Sequence, residues 1–148
     1  MRIGIASDHR AFKTKEELKN LLDADDIIDY GTYSEERTDY PKFAFKVGEA
    51  VVKKEVDLGI VMCGTGIGVS IACNKVKGVR CAKIDNNDEA VSAKEHNDAN
   101  VLAFSAQSHS AMEIKKFVDS FINSTFNADA SYKIRIEQVE KYEETNEY

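Results

Sequence analysis

A cysteine beside three alternate glycines is the part of the sequence best suited to chemistry. The segment Cys63–Gly68 (CGTGIG) follows the apolar run Asp57–Met62, which is typical of a strand buried on both faces. The glycines allow a tight turn, and free N–H groups at the start of the next helix could bind an anion or an oxyanion. Such a field favours the thiolate of Cys63, which is a base or a nucleophile. A free cysteine is commonly a small core residue, but the strand end beside glycines favours a functional role.

Other side chains that could move protons or bind a ligand lie near predicted strand ends. Asp8 and His9 follow the first strand, whereas His96 and Asn97 come just before the fifth. Taken alone, Asp8 could equally be a helix N-cap and His96 an exposed residue, and His109 is interpreted as a surface residue. Together, a thiolate, an oxyanion-binding loop, two histidines and an acid provide for proton abstraction beside a carbonyl, with donors that stabilise an enediolate.

The elements that must position these residues follow from apolar periodicity. We expect strands at Ile3–Ala6, Ile27–Tyr30, Asp57–Met62, Val79–Ile84 and Asn100–Phe104. We expect helices over about residues 11–23, from Pro41, after the glycines, and over 89–96, 114–122 and 132–144. This alternation predicts a doubly wound (Rossmann-like) α/β fold, with a five-stranded parallel sheet and helices on both faces.

In such a sheet, ligands bind beyond the carboxyl ends of the strands. Asp8, His9 and the Cys63–Gly68 segment are predicted at that edge, whereas His96 is predicted at the opposite edge. Either the His96 segment is structural, or it serves the site of a neighbouring subunit in a dimer. The last helix, 132–144, has an apolar side too narrow for the core, so we expect it to pack on a partner subunit; that side consists of Ile136, Val139 and Tyr142.

Composition limits the classes of function. At 148 residues with 43% hydrophobic content, the chain has the size of one domain, expected to span 1–148. A formal net charge of -6 opposes a general role on nucleic acids or membrane surfaces. The cysteines form neither a disulfide framework nor a zinc pattern, and Cys73 and Cys81 are expected in the core. No apolar stretch approaches about 18 residues, so the sequence predicts a cytoplasmic protein.

The glycine segment does not fit the common nucleotide-binding patterns. GxGxxG would need its third glycine at Val69, and a P-loop would need a lysine followed by serine or threonine after four intervening residues. A phosphoacceptor receiver domain would need an acid in place of Cys63. Asp85 lies about where a dinucleotide site has its ribose-binding acid, but the glycine spacing does not support that site.

Four segments, in this order and spacing, resemble type B ribose-5-phosphate isomerase of the ribose/galactose isomerase family. They are Ser7–His9 (SDH), Gly31–Pro41 (GTYSEERTDYP), Cys63–Lys75 (CGTGIGVSIACNK) and Glu95–Ala103 (EHNDANVLA). The resemblance covers residues 1 to about 125. It implies an aldose–ketose isomerase of the pentose phosphate pathway that needs no cofactor or metal. It also implies a homodimer, or a tetramer, with active sites shared between subunits. The related galactose-6-phosphate isomerase subunits lack either this cysteine or this histidine, which favours the ribose enzyme.

The resemblance implies a role for each matching residue. Cys63 would be the base that moves a proton between C1 and C2, supported by Thr65. Asp8 and His96 would assist opening of the furanose ring, with His96 supplied by the partner subunit. The other implied substrate contacts are the amides of Gly64, Gly66, Ile67 and Gly68 at the enediolate oxygen, His9 at the phosphate, and Tyr40 and Asn97 at the sugar. Taken alone, Tyr40 could also be a loop anchor.

The chain departs from the family pattern at the phosphate. The family's arginine after the fifth strand corresponds to Gln107, and its C-terminal pair of arginines is reduced to Arg135, with Lys133 as a competing candidate. Each lost guanidinium removes charge-assisted hydrogen bonds worth about 1.5–3 kcal/mol. Arg10 or Lys13 could replace one of them. Two alternatives therefore remain: an isomerase of a six-carbon substrate such as allose or galactose 6-phosphate, and a catalytically silent sugar-phosphate-binding module.

Overall fold

One parallel sheet carries the whole architecture. The computed structural model describes residues 1–148, and its strands are β1 (Arg2–Ser7), β2 (Asp26–Asp29), β3 (Leu58–Cys63), β4 (Cys81–Lys83) and β5 (Val101–Ser105). They lie in the order β2-β1-β3-β5-β4, and every pair is parallel. Ser7 pairs with Met62 and Cys63 with Ser105, so the ends of β1, β3 and β5 lie side by side.

Helices cover both faces of the sheet, which confirms the predicted doubly wound fold. They are α1 (Phe12–Leu21), α2 (Pro41–Val52), α3 (Ile67–Cys73), α4 (Asn87–Glu95), α5 (Ala111–Ile122) and α6 (Ala130–Thr145), and a 3-10 turn at His9–Ala11 precedes α1. The first, fourth and fifth helices pack on one face, and α2 and α3 pack on the other. None of these helices is long and apolar enough to cross a membrane.

The central strand β3 is buried along its whole length. Because successive side chains of a strand point to opposite faces, Ile60 and Met62 belong to the core under α1, α4 and α5, whereas Val61 and Cys63 belong to the core under α2 and α3. This explains why the segment is uniformly apolar rather than alternating. Cys63 is thus held at the end of a strand that is fixed from both sides.

The edge strand β4 is shorter than predicted, and Val79, Arg80 and Ile84 lie outside it. The Asn74 side chain binds both the N–H and the carbonyl of Cys81, at 2.8 and 2.9 Å. The Arg80 N–H donates to Asn100 Oδ1 at 2.8 Å rather than to a strand. The Arg80 carbonyl accepts from the Asn100 and Val101 N–H groups, but its N–H is bound by a side chain, so the regular ladder begins only at Cys81.

The last helix, α6, lies outside both cores and contains no buried residue. Its contacts with the rest of the chain are few: Tyr132 stacks on His96, Glu140 pairs with Arg80 at 3.3 Å, and Glu143 accepts a hydrogen bond from the Gly78 N–H at 2.9 Å. Ile134, Val139 and Tyr142 are exposed. The prediction that its apolar side is too narrow for a core helix is confirmed.

A buried lysine, which the sequence analysis did not identify, fixes the loop after β2. Lys15 is 0% exposed, and its Nζ donates to both carboxylate oxygens of Asp29 at 2.6 and 2.7 Å and to the Thr32 carbonyl at 2.6 Å. Lys19 donates to the same carboxylate at 2.8 Å. Burial alone would raise the pKa of Asp29, but the hydrogen bonds from the two lysines and Gly31 hold it below its ordinary value. The ion pair joins α1, β2 and the loop that leads to Tyr40.

Candidate active site

The turn after β3 directs a main-chain donor at the cysteine sulfur. Cys63 is 5% exposed, and the Gly66 N–H donates to its Sγ at 3.2 Å. Gly66 has φ +76°, in the left-handed region, and a Cβ there would lie 2.8 Å from the carbonyl carbon of Phe104. Only glycine fits this turn without moving the backbone. The glycine turn therefore places a main-chain donor on the Cys63 sulfur.

Further main-chain donors lie beside this sulfur. The N–H groups of Gly68 and Val69, in the first turn of α3, donate to no protein atom, as does the N–H of Thr65. The Thr65 hydroxyl accepts a hydrogen bond from the Ile67 N–H at 3.2 Å. Because unpaired N–H groups bind anions, this turn can hold an oxyanion next to Cys63.

Asp8 lies next to the end of β3 and acts as a helix cap. Its Oδ1 accepts hydrogen bonds from the Arg10 and Ala11 N–H groups at 3.0 and 3.2 Å, and its own N–H donates to the Met62 carbonyl at 3.2 Å. The N-cap interpretation is therefore correct. Because Oδ2 takes no hydrogen bond from the protein, the buried carboxylate retains a free acceptor at this edge.

His9 and Tyr40 bring the loop after β2 to the same edge. His9 Nδ1 lies 3.2 Å from the carbonyl oxygen of Thr38 and 3.3 Å from its nitrogen. The Tyr40 ring, partly exposed, packs on the main chain of Gly68, where an added Cβ would lie 2.5 Å from its Cζ. The loop thus lies close to the first turn of α3.

The loop after β5 completes the edge. The Ser105 hydroxyl donates to the Gly64 carbonyl at 2.7 Å, and the Gln107 N–H donates to the same oxygen at 3.0 Å. Ser105 was not singled out from the sequence, although its position at a strand end beside the glycine turn is a usable signal. Gln107 itself is exposed and accepts a hydrogen bond from Arg10.

The remaining candidate residues lie at the opposite edge of the sheet. His96 is the C-cap of α4 and precedes the start of β5, whereas Cys63 pairs with the end of β5. Its ring stacks on Tyr132, with centroids 4.4 Å apart, and the Arg135 guanidinium lies 5.9 Å from the Tyr132 centroid. His96, Asn97 and Arg135 line a cavity of about 640 Å³. The predicted separation of His96 from Cys63 within one chain is confirmed.

The interpretation of His109 as a surface residue is wrong. Its side chain is 12% exposed, and it bridges Asp85 Oδ1 at 3.1 Å and Glu113 Oε2 at 3.2 Å with its ring edge-on to Phe117. Ser110 caps α5, and the contact between His109 and Asp85 joins the start of that helix to the segment after β4. Hydrogen bonds from Lys83 and His109, working against burial, lower the pKa of Asp85, and the hydrogen bond from His109 lowers the pKa of Glu113.

The other two cysteines are structural. Cys73 is fully buried and its Sγ donates to the Ala44 carbonyl at 3.4 Å, as expected of a core residue. Cys81 is half-buried and packs against the same core. A hydrogen bond with Cys73, together with burial, raises the pKa of the Cys81 thiol, which keeps it neutral. No group of three or more His, Cys, Asp or Glu side chains is placed to hold a metal ion.

The chain is similar to known isomerases over nearly its whole length. The family model described as Ribose/Galactose Isomerase matches residues 3–139. Ribose-5-phosphate isomerase B of Escherichia coli is 37% identical over 145 residues, which are 97% of each chain. The solved structure of ribose-5-phosphate isomerase B from Clostridium thermocellum matches with a TM-score of 0.94 and 39% identity, covering 99% of this chain and 100% of that one. The Mycoplasma genitalium enzyme with bound ribulose-5-phosphate matches with a TM-score of 0.87 and 39% identity over 97% of both chains.

Proposed function

Because the chain belongs to the ribose/galactose isomerase family and is a sugar-phosphate isomerase, we propose that it interconverts ribose 5-phosphate and ribulose 5-phosphate. The reaction passes through a cis-enediolate with Cys63 as the base, in one domain that spans 1–148. The observation that carries this proposal is the Cys63 sulfur at the carboxyl edge of the sheet, 3.2 Å from the Gly66 nitrogen. The likeness to an enzyme that binds ribulose-5-phosphate supports the choice of sugar.

The chemistry needs a base and an oxyanion site, and the turn after β3 offers both. The Cys63 thiolate removes the C2 proton of the open-chain aldose, and the electron pair forms the C1–C2 double bond while the C1 oxygen becomes an enediolate oxygen. The negative charge on that oxygen is stabilised by the main chain of the turn. The free N–H groups of Thr65 and Gly68 donate to it, and the amides of Gly64, Gly66 and Ile67 surround it. A proton passes between the two oxygens, and the thiol returns its proton to C1. The carbonyl then stands at C2.

Opening of the furanose ring needs groups that this chain does not bring together. The free Oδ2 of Asp8 lies at the Cys63 edge, whereas His96 lies at the other edge. We therefore place each active site between two subunits of a homodimer, with α6 packed on the partner. The partner then supplies His96 for ring opening, Asn97 for the sugar and Arg135 for the phosphate. His9 contacts the phosphate and Tyr40 the sugar from the first subunit.

The role of Cys63 is tested by Cys63→Ala. Removal of a general base lowers kcat by about 10²–10⁴-fold, while KM for ribose 5-phosphate changes little because the binding groups remain. Cys73→Ala is the matched control, since it removes a thiol that is fully buried in the core under α2 and α3. Turnover that survives in Cys63→Ala contradicts the proposed base.

Sharing of the site between subunits is tested by mixing two inactive variants, Cys63→Ala and His96→Ala. In a mixed dimer, one site carries both substitutions and the other carries neither. Random exchange makes half of the dimers mixed, so about a quarter of the wild-type activity returns. Each variant refolded alone is the control. If the mixture stays inactive although exchange is demonstrated with tagged subunits, the two residues do not act across an interface.

A six-carbon sugar phosphate is the second candidate substrate. Gln107 and the single Arg135, where the family pattern has more arginines, are the observations that favour it. Rates are compared on ribose 5-phosphate, allose 6-phosphate and galactose 6-phosphate. The proposed function requires the highest kcat/KM on ribose 5-phosphate, and a higher value on either hexose phosphate favours the second candidate. Exchange of solvent deuterium into C1 of ribulose 5-phosphate separates either isomerase from a silent binding module.

A further inference from the structure

The Arg10 guanidinium lies directly on the turn that follows Cys63. A Cβ added to Gly64 would be 2.6 Å from Arg10 Cζ, 2.8 Å from Nη1 and 2.9 Å from Nε. The guanidinium therefore packs flat against main chain that adjoins the proposed base. Its backbone is fixed as well, because the Arg10 N–H donates to Asp8 Oδ1 at 3.0 Å.

Arg10 forms no ion pair, whereas Lys13, three residues later in the chain, does. Lys13 pairs with Glu35 at 3.2 Å, and both of these side chains are exposed. The only side-chain hydrogen bond of Arg10 runs from Nη2 to Gln107 Oε1 at 3.2 Å, which leaves four of its five N–H donors free. An exposed, unpaired guanidinium at a ligand edge is suited to a phosphate.

Gln107 is the residue that holds this guanidinium in place. Its N–H donates to the Gly64 carbonyl at 3.0 Å, and the next residue, Ser108, donates its N–H to Ser105 Oγ at 3.1 Å, so the loop is anchored to β3 and β5. The glutamine accepts from Arg10 through Oε1 and keeps its NH₂ group for an anion. An arginine at 107 would instead place a second positive charge against Arg10.

We propose that Arg10, positioned by Gln107, is the guanidinium that binds the substrate phosphate on the Cys63 subunit. This rests on the proposed function. The family pattern has an arginine at position 107, in the loop after β5. Arg10 takes its place by reaching that loop from the segment after β1, and His9 lies next to it in sequence. Lys13 is the weaker candidate, because its ammonium group contacts Glu35 at 3.2 Å, whereas the Arg10 guanidinium contacts the turn after Cys63.

The test is the KM for ribose 5-phosphate of the variant Arg10→Met, which keeps a long side chain and removes its charge. Loss of charge-assisted hydrogen bonds raises KM for ribose 5-phosphate by about 10- to 100-fold, with little change in kcat. Lys13→Met is the matched control and leaves KM within about twofold, as expected of an exposed pair. An unchanged KM in Arg10→Met overturns the proposal.

A second measurement separates this proposal from the isomerase reaction. Inorganic phosphate is titrated into Cys63→Ala and Cys63→Ala/Arg10→Met by calorimetry, where no turnover is involved. We expect the dissociation constant to rise at least about tenfold. Equal affinities overturn the phosphate role even if the enzyme isomerises ribose 5-phosphate.

Relocation of the guanidinium distinguishes binding from a structural effect. Adding Gln107→Arg to Arg10→Met supplies a guanidinium from the loop after β5. It does not restore the packing of Arg10 on Gly64. Phosphate affinity returns to within a fewfold of the parent if the charge is what matters. If the double variant binds as weakly as Arg10→Met while its circular dichroism matches the parent, Arg10 acts through packing and the proposal is wrong.

Discussion

Replacing Lys15 by methionine tests whether the buried ion pair holds the β2 loop in place. Lys15→Met keeps most of the apolar stem but leaves the Asp29 carboxylate, whose side chain is 17% exposed, without its main partner. Removing one partner of a buried pair costs about 3–5 kcal/mol. Asp29 keeps Lys19 at 2.8 Å and the Gly31 N–H at 2.9 Å, so we expect about 2–3 kcal/mol at neutral pH, the lower end of this range or slightly below it.

The assay is urea unfolding followed by circular dichroism at fixed protein concentration. Lys19→Met is the matched control, because Lys19 binds the same carboxylate but is 26% exposed, and it should cost about 0.2–1 kcal/mol. A loss below about 1 kcal/mol in Lys15→Met, or equal losses in the two variants, refutes the reasoning.

The same pair predicts a pH dependence. The pKa of Asp29 is held below its ordinary value of 3.8, so the folded state binds this proton less readily than the unfolded chain. The stabilisation is complete above that value and is lost as the pH falls through the lower folded-state pKa. The difference in unfolding free energy between wild type and Lys15→Met should therefore shrink between neutral pH and about pH 3.

Two further predictions concern the turn and the last helix. Gly66→Ala should lower the free energy of unfolding by about 1–3 kcal/mol and abolish turnover, because its Cβ meets the Phe104 backbone in a left-handed conformation. Gly78→Ala, at φ +90° but with only a Val52 side chain 3.2 Å away, should cost less and keep turnover; equal losses of stability would contradict the clash. A chain ending at Asn127 should unfold cooperatively with an unchanged sheet signal, since α6 buries no residue. It should elute as a monomer in gel filtration, because the proposed dimer packs α6 on the partner subunit. Loss of the cooperative transition would show that α6 belongs to the fold.

The sequence was sufficient where the information is local. Apolar runs bounded by turn residues predict all five strands, and the CGTGIG segment predicts the turn at Cys63, because burial on both faces and backbone conformation depend on neighbouring residues. The position of His96 at the far edge follows from strand order alone.

What the sequence missed depends on residues far apart in the chain. Lys15 looks like a polar helix residue until Asp29 and the Thr32 carbonyl, 14 and 17 positions later, surround its ammonium group. In the sequence, Arg10 and Lys13 are two cations close to His9. Their partners Gln107 and Glu35, which are distant in the chain, distinguish them. The roles of the site residues in turnover are not decided by geometry and stay predictions.

The position of β3 in the middle of the sheet also bears on how the chain folds. Ile60 pairs with Ile5 on one side and Leu102 on the other, so neither neighbour of this strand is close to it in sequence. Pairings across such separations close long loops before they gain stability, which slows folding and leaves apolar strands unprotected in partly folded chains. During synthesis, the strand that ends in Cys63 stays without its second neighbour until residues 101–105 have emerged from the ribosome. The segment that carries the proposed base is therefore open to aggregation while the rest of the chain is still being made.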